Sequence, residues 1–234
     1  LRAKGYPTVM ASAPNTLGGI NGQTGLRMKA TIEQCMAVLN SGNGDEWSYH
    51  SWEGAQTSLM SATEIRVDSR NCIQYLLEKQ VGFGALYRAA WTQNQAPNAT
   101  AAEMMMICSA TAVSDANPHP WPPVSGKLNN IGRYAIFQQT PQQHRDMIKR
   151  ITATGCSLWA YTHAKEYNNI NNHTPEEWAS WWSAVDEAVA AGLLEVVNVE
   201  TLYRRSGGTI KRIGGSLLLE WPQPDGSVRT ITVG

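Results

Sequence analysis

The chain has 234 residues, enough for one substantial domain with a full core, or for one domain and a small appendage. Its 19 lysines and arginines balance 19 aspartates and glutamates, with no long run of either sign, so no nucleic acid is expected as a partner. No stretch nears the roughly 20 apolar residues of a membrane span, and Leu1-Arg2-Ala3-Lys4 does not open like a signal peptide, so the chain reads as soluble with no membrane partner.

In chain order, residues 7–11 read as a short apolar strand, followed by a Gly/Asn-rich loop through Gly25. A helix comes next, with Ile32, Cys35, Met36 and Leu39 on one face at helical spacing. Gly42-Asn43-Gly44 stops it and turns the chain into a strand that ends at His50. Ser61-Ala62-Thr63-Glu64 is a capping box, in which the serine bonds a free N-terminal amide and the glutamate reaches back. The helix it opens should turn Ile65, Ile73, Leu76 and Leu77 inward and stop at Gly82.

Strands over residues 84–88 and 104–110 follow. Asn117-Pro118-His119-Pro120-Trp121-Pro122-Pro123 can be neither helix nor central strand and reads as a surface loop. Residues 134–137 restore a strand. Thr140-Pro141-Gln142-Gln143 then starts a helix with an N-cap, a proline at the first position and a glutamine at the third, and Gly155 ends it. A strand over 156–161 leads to His163, Thr174-Pro175-Glu176-Glu177 caps a helix running to Gly192, and residues 194–199 read as another strand.

This alternation predicts a parallel α/β arrangement with functional residues at the C-terminal ends of strands, where His50, Arg88 and His163 fall. From Ser206 the pattern changes to alternating runs separated by Gly214-Gly215 and Pro224-Asp225-Gly226, which predicts a small antiparallel β extension. The expected organisation is a main domain over residues 1–205 and the extension over 206–234. Cys35, Cys72, Cys108 and Cys156 form no Cys-x-x-Cys pair and read as buried free thiols. Nine tryptophans would suit the apolar faces of sugar rings, although Trp178, Trp181 and Trp182 share a helical face and read as core.

A histidine at a strand end can bind a divalent metal through its neutral imidazole, but taken alone is more often a hydrogen-bonded structural residue. His119, His144 and His173 have no such setting and read as surface or satisfied polar residues.

Three stretches in this order resemble the polysaccharide deacetylase (NodB-homology) family. Gly44-Asp45-Glu46-Trp47-Ser48-Tyr49-His50-Ser51 resembles its second motif, Arg88-Ala89-Ala90-Trp91-Thr92 its third, and Leu158-Trp159-Ala160-Tyr161-Thr162-His163 its final strand and histidine. The flanks agree: residues 1–8 resemble the link from the first helix to the second strand, and residues 194–203 the closing strand and helix. The resemblance implies a distorted (β/α) barrel, here lacking its first strand, that holds a divalent metal such as zinc and hydrolyses N- or O-acetyl groups of a polysaccharide or acetylated oligosaccharide. It makes His50 a metal ligand, His163 the general acid, Arg88 the residue that orients the base, and the Trp91 amide an oxyanion donor.

The chain departs from the family's pattern at definite places. Gly54 stands where the second histidine ligand belongs, with Glu53 beside it, and Ala164 replaces the aspartate often found after the final histidine. The first motif, with its paired aspartates, is not in this chain, and Asp45, Asp68 and Asp115 do not occupy its place. The expectation is a piece of a larger carbohydrate-acting protein, extracellular, cell-surface or virion-associated, in which metal binding is weak or lost as the chain stands. Its rival is a carbohydrate-binding or structural module that kept the barrel without the chemistry.

Overall fold

The computed structural model describes residues 2–12, 15, 17–18, 30–49, 52, 59–79, 132–162, 173–205, 207–213, 216–222 and 225–233. The strands predicted over 84–88 and 104–110, the proline-rich loop at 117–123 and the stop at Gly82 lie outside them.

Strand β1 (Val9–Ser12) pairs in parallel with β2 (Glu46–Tyr49), Val9 opposite Glu46 and Ser12 opposite Tyr49. Parallel neighbours need a crossover, and α1 (Ile32–Leu39) lies between them in sequence. Thr31 caps this helix. Its hydroxyl accepts from the Gln34 amide while the Gln34 side chain accepts from the Thr31 amide, and Cys35 and Leu39 are buried. Helix α2 (Ala62–Glu78) opens at the predicted Ser61–Glu64 box, with the Ser61 amide donating to Glu64 Oε2 at 2.7 Å, and buries Ile65 and Cys72.

A second parallel pair follows the same logic. β3 (Gly132–Ala135) lies beside β4 (Leu158–Tyr161), Gly132 opposite Leu158 and Ala135 opposite Tyr161, and α3 (Pro141–Thr154) connects them. The pairing stops earlier than the apolar run 134–137 suggests. Ile136 still donates to the Tyr161 carbonyl at 3.0 Å, but the chain then turns through Gln138, at a left-handed φ of 59°. That turn brings Thr140 into position to cap α3. Gly155 ends α3 at φ 62°, a conformation that needs no side chain.

The main core is built where α3 and α4 (Pro175–Ala190) cover β3 and β4. Both helices present residues at i, i+3, i+4 and i+7: His144, Met147, Ile148 and Ile151 on α3, and Trp181, Ala184, Val185 and Ala188 on α4. Each large apolar side chain withdrawn from water here contributes about 1.5–3 kcal/mol. Trp181 is buried, whereas Trp178 and Trp182 pack half-buried at the margin.

Residues 194–199 correct the sequence reading: no strand forms there. Leu194 and Val196 are half-buried against the main core, so their alternation records packing and not ladder pairing. The chain instead enters α5 (Val199–Arg205), because Asn198 Oδ1 accepts the Thr201 amide at 2.9 Å in the manner of an N-cap. The end of the chain forms the expected antiparallel sheet in the order β5 (Thr209–Ile213), β6 (Ser216–Pro222), β7 (Val228–Val233). No helix among the described residues is long and apolar enough to cross a membrane.

Candidate functional site

The C-terminal ends of the parallel strands are where the sequence places its chemistry. β2 ends at Tyr49, one position before His50, and β4 ends at Tyr161, two positions before His163. His50, Arg88, Trp91 and His163 themselves lie outside the described residues, as do Glu53, Gly54 and Ala164.

At the entrance to β2, two acidic residues are almost completely buried: Asp45 at 4% exposure and Glu46 at 2%. A buried carboxylate must be bonded, and both are. Asp45 Oδ1 accepts from the Thr8 amide at 2.7 Å and the Thr8 hydroxyl at 2.6 Å, and its Oδ2 accepts from the Ser41 hydroxyl at 3.2 Å. Glu46 Oε1 accepts from the Glu200 amide at 2.8 Å, which places a negative charge at the first turn of α5. Asn198 Nδ2 completes the knot by donating to the Gly44 carbonyl at 2.9 Å. Gly44 sits at a φ of 75°, where any other residue is strained, and a Cβ there would lie 3.1 Å from that same Asn198 nitrogen. The acidic pair Asp45 and Glu46 therefore ties the start of the chain, β2 and α5 together.

Beyond β2, Trp52 is anchored on three sides. Its amide donates to both oxygens of Asp68 on α2 at 3.0 Å, its carbonyl accepts from the Asn15 amide at 3.0 Å, and its ring meets Tyr75 edge-on with centroids 5.4 Å apart. Asp68 thus holds Trp52, three positions beyond the end of β2. Beyond β4, the Thr162 hydroxyl lies 2.8 Å from His173 Nδ1, and the His173 ring stacks on Trp178 at 4.4 Å. Trp178 in turn meets Trp182, and Tyr6 stacks on Trp182 at 5.5 Å. The Tyr6 hydroxyl donates to Asp186, which also pairs with Lys4; the Lys4 bond is the main reason that carboxyl sits below the usual range. Sequence patterns gave no sign of the ties from Lys4 and Tyr6 to Asp186 or from Asn15 and Asp68 to Trp52, because these join residues distant along the chain.

One pair on the core side has the separation of a nucleophile and its base. His144 Nδ1 lies 2.7 Å from the Ser180 hydroxyl, while Nε2 lies 3.1 Å from the Ile136 carbonyl. Its ring is wholly buried between Tyr134 and Trp181, so no substrate can reach it, and the pair serves as an internal tie between α3, α4 and the end of β3. Burial holds this imidazole below the ordinary histidine value, ahead of the opposing pull of the Ile136 carbonyl and Glu177.

Among the described residues no group of three or more histidine, cysteine, aspartate or glutamate side chains is placed to hold a metal ion. The carboxylates of Asp45 and Glu46, before His50 in the same stretch, are engaged with Thr8, Ser41 and Glu200, so these two do not fit the role of missing ligands. Comparison with known proteins finds no family model that matches the chain, and no curated protein or solved structure significantly similar to it.

Proposed function

We propose that the chain is a polysaccharide deacetylase-type domain, with a distorted (β/α) barrel, belonging to a larger protein that removes N- or O-acetyl groups from a polysaccharide. What supports this most is that the parallel strands β2 and β4 end just before His50 and His163, the two histidines singled out by motif order. In this reading His50 ligates a divalent metal, His163 protonates the leaving group, Arg88 orients the base and the Trp91 amide binds the oxyanion. This chain does not carry the family's paired aspartates, and Gly54 offers no donor.

That deficit favours a second reading, a carbohydrate-binding or structural module without turnover. One set of measurements on the full-length protein separates the two: metal content after dialysis, acetate release from acetylated xylan and from chitin oligosaccharides, and binding on a glycan array. Bound metal with acetate release, both lost in His50→Ala, is the result expected of the enzyme. Glycan binding with neither metal nor acetate would overturn the enzyme and leave the module.

A further inference from the structure

The strongest feature outside that site is the buried histidine on α3, and counting its hydrogens gives more than its position. The Ile136 carbonyl can only accept, so His144 Nε2, 3.1 Å away, must carry a hydrogen. A neutral imidazole has only one. Its Nδ1 is then a bare lone pair, and the Ser180 hydroxyl donates to it across 2.7 Å. The same hydroxyl oxygen lies 3.1 Å from the Glu177 carbonyl, a second acceptor to which its single hydrogen cannot be given at the same time.

We propose that His144 and Ser180 form a proton-responsive switch, in which the core between β3, α3 and α4 takes up one proton from solvent in acid and the Ser180 hydroxyl turns from His144 to the Glu177 carbonyl. In the protonated state Nδ1–H donates to the serine oxygen, Nε2–H still donates to Ile136, and the serine hydrogen has its new acceptor. One proton enters, no hydrogen bond is lost, and no heavy atom need move. The charged group bearing on the ring is Glu177, across on α4, and the titratable group beside it on β3 is the Tyr134 phenol, which stays protonated far above neutrality. The device makes the seam between β3 and the two helices sensitive to acid while sparing it the orphaned donor that a protonated buried histidine otherwise leaves.

Nitrogen-15 NMR of the histidine rings in the 234-residue chain tests this across an acid titration, with His144 assigned through His144→Gln. Expected are the Nε2–H tautomer at neutral pH, a reversible titration before the chain unfolds, and a midpoint lowered by about one pH unit in Ser180→Ala, where the second acceptor path is gone. Ser180→Thr, which keeps the hydroxyl, should titrate near the native value. An Nδ1–H tautomer, read in the native chain without any variant, would overturn the proposal. Acid unfolding of the native chain before His144 takes up its proton would do the same, as would an unchanged midpoint in Ser180→Ala. If Ser180→Ala does not fold, the tautomer and the Ser180→Thr midpoint decide.

Discussion

Replacing Asp45 with alanine probes the knot at the entrance to β2. The carboxylate receives three hydrogen bonds, two from Thr8 and one from Ser41. Bonds to a charged acceptor are each worth about 1.5–3 kcal/mol, and a buried donor left without a partner costs about 1–3 kcal/mol. The terms do not add, because Ser41 is exposed and regains water, and the Thr8 hydroxyl can rotate. The Thr8 amide cannot. The expected loss is therefore about 3 kcal/mol for Asp45→Ala, a large share of the roughly 5–15 kcal/mol that holds a domain together. Asp45→Asn keeps the oxygen that faces Thr8 and offers its NH2 to Ser41, whose oxygen can accept, so it should lose only about 1 kcal/mol. Urea unfolding followed by tryptophan fluorescence reads both, as midpoint shifts at constant slope. A loss below about 1 kcal/mol in Asp45→Ala, or equal losses in the two variants, would refute the role assigned to these bonds.

Two further outcomes follow from buried groups. Tyr134 is 4% exposed and its hydroxyl has no hydrogen-bond partner among the described residues, while burial pushes the phenol up to about 12. Tyr134→Phe should therefore raise stability by about 1 kcal/mol in the same urea assay, and a fall of that size would show the hydroxyl to be bonded. Cys35 and Cys72 are buried, and burial is the main cause that raises both thiols. A thiol reagent at neutral pH should label no more than Cys108 and Cys156 in the native chain; native labelling of Cys35 or Cys72 would contradict their burial.

What the sequence made legible was whatever is decided within a few residues. The boxes at Ser61, Thr140 and Thr174 place the starts of α2, α3 and α4, since a cap and its third-residue partner are read from one short window. The stop at Gly155 is equally local. Residues 194–199 were misread because alternation of apolar side chains is produced as well by packing against a core as by a strand, and Asn198 gives a cap no less than a loop. At β3, the apolar run continues past Ala135 but the pairing does not, because Gln138 turns the chain. The site was less legible still. Asp45, Glu46, Asp68 and His173 acquire their roles from Thr8, Glu200, Trp52 and Thr162, partners that only the folded chain supplies.

The bond from Glu46 to the Glu200 amide spans 154 residues of chain, and that distance has a meaning in time. At roughly 5–20 residues per second of synthesis, β2 waits on the order of 8–30 s before its capping partner exists. During that interval the Glu200 amide that will donate to Glu46 Oε1 has not yet been made. The first parallel pair is made without this tie while the chain between them is growing, and the arrival of α5 joins it to a segment far along the sequence.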